Sequence, residues 1–173
     1  YACYDLTSVS IPNSVTSIGE YAFAGCSGLI SISIPNSVTS IGEDAFLSCG
    51  ELTSVHVTDI AAWCKIEFKN HKSNPFYYAR HFYLNEEEIK DLIIPNSVTS
   101  IRNLAFYKCN GLTSVSIPNS VTSIGETAFA GCKGLTSISI PNSVTNIGDF
   151  AFADCSGLIS VLISNGVSSI GQR

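Results

Sequence analysis

Apolar positions along the chain follow a short motif, and the motif itself recurs. From Leu112, the residues Leu112, Val115 and Ile117 include a two-residue step with Ser116 between the last two, which predicts a half-buried strand. Pro118 ends that strand because proline has no N–H for a ladder, and Pro-Asn-Ser suits a turn. Val121 and Ile124 predict a second short extended piece, closed by Gly125. Residues 126–132, ETAFAGC, leave room for about one or two helical turns. Ala128, Phe129 and Cys132 stand at i, i+1 and i+4, on one face of such a turn. Gly134 then frees the chain to enter the next strand.

The unit repeats every 23 residues: Cys3, Cys26 and Cys49 keep that spacing, as do Cys109, Cys132 and Cys155. Ile-Pro-Asn at Ile11, Ile34, Ile94, Ile117 and Ile140 and Ala-Phe at Ala22, Ala45, Ala105, Ala128 and Ala151 mark the same repeat. A unit this small cannot bury its apolar face alone, whereas stacked units bury a continuous ladder of like residues. The expected ladders are Leu6, Leu29, Leu52, Leu112, Leu135, Leu158 and Phe23, Phe46, Phe106, Phe129, Phe152. About seven coils at a strand spacing near 4.8 Å predict a rod roughly 30–35 Å long. The chain starts inside a unit and stops after Ile170-Gly171 without a polar capping unit at either end, so further repeats or caps are expected to flank it.

The consensus L-x-x-[IV]-x-I-P-x-S-V-x-x-I-G-x-x-A-F-x-x-C, cleanest from Leu135 to Cys155, resembles the BspA-type leucine-rich repeats of bacterial surface proteins. The resemblance implies an α/β-type leucine-rich repeat solenoid over residues 1–173. Parallel strands are expected on one face and short helical turns on the other. It also implies an adhesin or host-interaction role at the cell surface or in secretion. The family's binding residues do not sit in the shared motif, so none carries over by position.

The period fails once. Cys49 to Cys109 spans 60 residues, and Val57 to Ile94 spans 37, so regular coils at 1–57 and 92–173 flank one enlarged coil, about 58–91. Within it, His81-Phe-Tyr-Leu84, Asn85-Glu86 and Ile89 predict an added hairpin. Aromatics crowd here: Trp63, Phe68, Phe76, Tyr77, Tyr78, Phe82 and Tyr83. Most are expected to fill an irregular core, leaving the charged neighbours Lys69, Lys72, Arg80 and His81, with Tyr77, as candidate partner contacts. Elsewhere Arg102 replaces the glycine of the Ile-Gly step, so that step does not strictly need a positive φ.

Along the strand face, outward positions form rows of serine: Ser8, Ser31, Ser54, Ser114, Ser137, Ser160 and Ser10, Ser33, Ser116, Ser139. Small hydroxyls keep an exposed sheet soluble. Asp91, His56, Ile93 and Leu162 interrupt those rows and complete the candidate contacts.

Composition narrows the functions. The chain has 173 residues, 45% hydrophobic and 13% charged, which suits a folded domain and not a disordered one. A net charge of −5 with nine Lys+Arg argues against nucleic acid. No run of about 18 apolar residues predicts a membrane span. Six of the seven cysteines sit at the repeat position and are expected as buried thiols, because ladder side chains point the same way. No C-x₂-C pair suggests zinc, no phosphate loop is present, and His56 among strand serines lacks a third member for nucleophilic catalysis. Glu86-Glu87-Glu88 is most simply a solvated turn. The expectation is therefore a surface or secreted binding module, with no catalysis and no cofactor. Its partner is expected to be protein (extracellular matrix or a host receptor) or glycan. The rival is a passive spacer, favoured by the identical decapeptides at Ile11–Glu20 and Ile117–Glu126.

Overall fold

A computed structural model describes residues 3–172, so positions 1, 2 and 173 of the expected coils lie outside the described residues. Each unit supplies one rung to a first strip of strands: β1 Ser8–Ser10, β3 Ser31–Ser33, β5 Ser54–Val57, β7 His81–Leu84, β9 Asp91–Ile93, β11 Ser114–Ser116, β13 Ser137–Ile140 and β15 Ser160–Ile163. A second strip holds β2 Ser17–Ile18, β4 Ser40–Ile41, β6 Glu67–Phe68, β10 Ser100–Ile101, β12 Ser123–Ile124, β14 Asn146–Ile147 and β16 Ser169–Ile170. Neighbouring coils pair in parallel at the 23-residue register, as in Ser8↔Ser31 and Ile124↔Ile147. The fold is the expected solenoid. Leu29, Leu52, Leu112 and Leu135 are buried in it, and the rings of Phe23–Phe46, Phe106–Phe129 and Phe129–Phe152 stack at 5.2–5.6 Å.

The turn side departs from expectation. Where helical turns were predicted, the regular coils form consecutive hydrogen-bonded turns. Left-handed residues break any helix there: Tyr21, Asp44, Leu104, Thr127 and Phe150, and four positions later Gly25, Ser48, Lys108, Gly131 and Asp154. The chain gains a third ladder in exchange. The N–H groups of Tyr21, Phe23 and Gly25 donate to the carbonyls of Glu43, Ala45 and Leu47 one coil on, and Thr127, Phe129 and Gly131 donate in the same way to Asp149, Ala151 and Ala153. Among the described residues, helix occurs only in the enlarged coil: α1 Ile60–Trp63, N-capped by Asp59, and the 3₁₀ turns His71–Ser73 and Pro75–Tyr77.

The hairpin forms as expected, β7 pairing antiparallel with β8 Glu87–Glu88, but its first strand is itself a rung, paired with β5. The alternation His81 out, Phe82 in places His81 and Tyr83 between Ser54–His56 and Asp91–Ile93, where the repeat arithmetic set those neighbours side by side. Among the described residues neither strip is continuous past this point: β8 ends one sheet, β9 begins another, and β6 and β10 are not laddered.

Side chains carry the stack across that seam. The N–H groups of Asp44, Phe46 and Ser48 meet Asn70 Oδ1 (3.3 Å), the Lys72 carbonyl (3.1 Å) and Tyr78 Oη (2.9 Å). On the other side, Trp63 Nε1–H donates to the Ala105 carbonyl (2.8 Å), and buried Asn74 donates from Nδ2 to the Leu104 carbonyl (2.6 Å) while its Oδ1 accepts from Phe76 N–H. Trp63 packs against Phe68, Phe76 and Phe82 at ring distances of 5.4–5.6 Å. The aromatics of the insertion therefore do fill an irregular core.

The Ile-Gly step behaves as Arg102 suggested. Among the described glycines only Gly25 and Gly131 have positive φ, so the step needs closeness rather than a special conformation. A Cβ on Gly42 would lie 2.4 Å from the Glu20 nitrogen of the coil before, whereas one on Gly19 would meet nothing within 4 Å. Arg102 fits because its coil follows the seam, where a cavity of about 460 Å³ opens between Phe68 and residues 100–103.

Two outcomes are expected in denaturant unfolding followed by circular dichroism. Gly42→Ala should cost about 1–3 kcal/mol or more by overpacking, while Gly19→Ala is neutral or slightly stabilising. Equal losses would show that the step is conformational. Trp63→Phe keeps an aromatic ring but leaves the Ala105 carbonyl only the 3.5 Å approach of Asn74 Nδ2, and should cost about 1–3 kcal/mol; unchanged stability would show that the seam does not depend on the indole bond.

Candidate functional site

The strongest polar constellation lies where β5 and β7 face outward. Register sets Ser54 opposite His81 and His56 opposite Tyr83, and the His56 and Tyr83 rings stack 4.6 Å apart at 7°. Asn85 and Glu86 form the two-residue turn with φ of 50° and 67°, the conformation a tight hairpin demands and one that asparagine tolerates well. That turn brings Glu86 Oε2 to 3.2 Å from His56 Nδ1, and β8 brings Glu88 Oε1 to 2.6 Å from His81 Nδ1. The His56–Glu86 pair thus ties the hairpin turn to β5, and the His81–Glu88 pair clasps the two arms of the hairpin. The bond from His81 holds the Glu88 carboxyl below its ordinary range, because it favours the charged form.

Beyond the seam, Asp91 accepts hydrogen bonds from Ser114 Oγ (2.6 Å) and Thr113 Oγ1 (3.0 Å), which lower its pKa in the same way. Two outward positions of this strip carry apolar side chains: Ile93 is 71% exposed beside Ser116, and Leu162 is 63% exposed beside Ser139 on β15, the last rung, where Val161 and Ile163 are exposed as well.

Glu86 is the third member that sequence reasoning did not find. With His56 Nε2 3.3 Å from Ser54 Oγ, the order serine–histidine–carboxylate is complete. Its surroundings do not suit acyl transfer. Ser54 lies mid-sheet with its own N–H donated to the Ile30 carbonyl at 3.3 Å, so that N–H is not available to an oxyanion, and neither Ser54 nor His56 lines a described cavity.

The cysteines are equally quiet. Cys49, Cys132 and Cys155 each donate from Sγ at 3.1 Å to a phenylalanine carbonyl of the preceding coil. Burial pushes the Cys49 thiol to about 11 and that of Cys64, packed under α1, to about 12. Among the described residues no group of His, Cys, Asp and Glu could hold a metal ion, and no helix is long and apolar enough to cross a membrane.

The basic residues of the insertion do not converge. Lys69 pairs with Glu67 at 2.5 Å on the second strip, and Lys72 serves the turn ladder through its carbonyl. Tyr77 and Arg80 line a different feature, a cleft of about 530 Å³ on the turn side. There they meet Tyr107, Lys108 and Lys133, which the sequence reading passed over because they belong to regular coils. The signal was present: Ala105-Phe106 is followed by Tyr-Lys, where sister coils carry Ala-Gly, Leu-Ser or Ala-Asp.

A family model described as BspA type leucine rich repeat region matches the chain in six copies, over residues 1–75 and 77–173. Among solved structures the chain is similar to a leucine rich cell surface protein from Faecalibacterium prausnitzii, with 28% identity and a TM-score of 0.57, over 95% of this chain and 48% of that one. It is also similar to a T. pallidum leucine rich repeat protein (28% identity, TM-score 0.42, 90% of this chain and 57% of that one). A third is the pneumococcal vaccine antigen PcpA (16%, TM-score 0.47, 96% and 65%). The chain thus spans between about half and two thirds of the length of these proteins. No curated protein matches it.

The His81–Glu88 pair sets a pH dependence. A carboxyl with a lowered folded pKa adds stability that is present above its unfolded value and is lost as pH falls through the folded one. By carboxyl NMR, Glu88 should therefore titrate below the ordinary glutamate midpoint and move back up in His81→Ala. An unmoved midpoint in that variant would remove the pair as the cause.

Proposed function

The chain belongs to the BspA-type leucine-rich repeat family, and from that premise we propose that it is an adhesin-type binding module of a secreted or surface-attached protein. Its partner is a host or neighbouring-cell protein, such as an extracellular-matrix component or a receptor. It binds by shape and multiple weak contacts along the first strip, without catalysis and without a cofactor. One observation carries the reading: at positions where sister coils present serine, this chain keeps Ile93 and Leu162 exposed. Exposed isoleucine and leucine add nothing to the ladder and burden solubility, whereas a partner that covers them gains their burial. They lie about three coils apart, roughly 14 Å, with Asp91 beside one of them. His56 and His81 stand across the seam, held by the hairpin.

The spacer reading has its own support in the identical decapeptides of the first and fourth Ile-Pro-Asn units, since uniform coils hold little recognition information. Reversion separates the two. His56→Ser, Ile93→Ser and Leu162→Ser together restore the residues that sister coils carry, so folding is retained. Surface plasmon resonance against a panel of matrix proteins and innate receptors should show saturable binding that the triple variant weakens at least tenfold. Binding that survives the reversion moves the site off this face, and no binding across the panel leaves the chain a spacer.

A further inference from the structure

We propose that the tyrosine-lined cleft on the turn side binds an acidic saccharide, a sugar ring carrying a carboxylate or a sulfate. Charge points there first. The chain has a net charge of −5, yet Arg80, Lys108 and Lys133 gather around one cleft against a single acid, Asp154. A concave site lined by one sign of charge concentrates ligands of the other sign.

Ring faces point to a sugar. Tyr77 and Tyr107 lie 6.4 Å apart, and Tyr77 contacts Tyr78 at 5.0 Å. Lys108 Nζ sits 4.0 Å over the Tyr77 ring and 5.5 Å from that of Tyr107. Its charge is thus held among the rings, in place to meet an anion, rather than swinging in solvent. Tyrosine rings suit the C–H surface of a pyranose, with Lys108 on Tyr77 and His71, which does not line the cleft, packed on Tyr107 at 4.7 Å, and the sugar hydroxyls match the lining tyrosines, the Asn110 amide and Ser156. Burial, Tyr77 and Asp154 raise the Tyr107 pKa above the ordinary phenol value. A volume of about 530 Å³ falls within the range of small-ligand sites.

The cleft is assembled from four coils, and local backbone demand does not account for its side chains. Lys108 has φ of 57°, at the turn position where sister coils carry Gly25, Ser48, Gly131 and Asp154. Arg80 lies one residue before the Ser54↔His81 pair, at the level of Thr53. Lys133 and Tyr107 occupy the repeat positions of Ser156 and Leu47. Each is a departure from a residue that serves the same place elsewhere in the fold.

Those sister residues supply variants that keep the fold. Two-dimensional NMR titration would use sialyllactose as the carboxylate probe, a sulfated disaccharide as the sulfate probe, and lactose and an acidic hexapeptide as controls. Saturable shifts at Tyr107, Lys108 and Lys133 are expected with at least one acidic sugar, and the arm that responds identifies the acid. Lactose and the peptide should bind at least tenfold more weakly. Arg80→Thr with Lys133→Ser, and separately Tyr107→Leu, should each weaken the acidic sugar about tenfold or more. Reversion of Ile93 and Leu162 should leave it unchanged, so failure of the strand-face reading and failure of this one are distinguishable. No saturable shift, equal binding of lactose or the peptide, or insensitivity to the cleft variants would overturn the assignment.

Discussion

Each coil must satisfy its backbone polar groups with the coils directly before and after it. A coil has almost no hydrogen bonds of its own beyond its turns, and an unmet buried N–H or C=O costs about 1–3 kcal/mol. Identical length is the simplest solution. A 23-residue unit returns every donor opposite the same acceptor, so Thr39 meets Thr16, Thr122 meets Thr99 and Thr145 meets Thr122, each doubled by its own hydroxyl. The same demand explains the left-handed turn residues. Folding residues 126–132 as a helix would satisfy the segment internally and strip the next coil of three donors, whereas the alternating turn keeps Thr127, Phe129 and Gly131 aimed outward along the stack.

An enlarged coil breaks that solution, and the remedy is chemical rather than geometric. Several backbone groups at the seam meet a side chain of matching polarity instead of a peptide group. Asn70 and Tyr78 accept where carbonyls would have accepted, Trp63 donates to the Ala105 carbonyl where an N–H would have donated, and Asn74 adds a bond to the neighbouring Leu104 carbonyl. Residue types usually read as surface polarity or as aromatic bulk thus act as substitute peptide groups. The local cap of Asn70 with Ser73 and the Asp59 cap on α1 fix those side chains in place, so the substitution is rigid.

Most of the fold was legible because repetition multiplies weak local signals. A single strand step around Val115 says little, but the same step at 23-residue intervals leaves one architecture. The hairpin was legible from Asn85-Glu86 between apolar alternations. Three things were not. Spacing alone cannot tell that β7 serves both as a rung and as a hairpin arm, so His81 and Tyr83 were left out of the outward rows. A helix and an alternating turn share the apolar positions Ala128, Phe129 and Cys132, and the choice between them lies in inter-coil bonding that one unit does not display. Glu86 looked like part of a solvated triplet, and it acquires a partner only when the turn folds it back to His56.

The repeat constraint also says where recognition can reside. Inward positions, turn donors and the close glycine step are committed to the stack, and variation there costs stability. Outward strand positions and the residues just after Ala-Phe carry no side-chain bond that the repeat as a whole depends on, and those they do make, such as Asp91 with Ser114 and Lys108 over Tyr77, belong to single coils, so they are free to differ. That freedom makes a departure informative. Serine at an outward position needs no explanation, but Ile93 and Leu162 in the same rows do, and so do Tyr107 and Lys108 where Leu-Ser or Ala-Gly would serve the turn equally. The two groups fall on different strips of the solenoid, which is why they are assigned to separate ligands rather than merged into one surface. The enlarged coil contributes to both, His56's partner Glu86 on one side and Tyr77 with Arg80 on the other. A single irregular unit, made compatible with the ladder by substitute peptide groups, thereby gives an otherwise uniform rod two distinct places at which to bind.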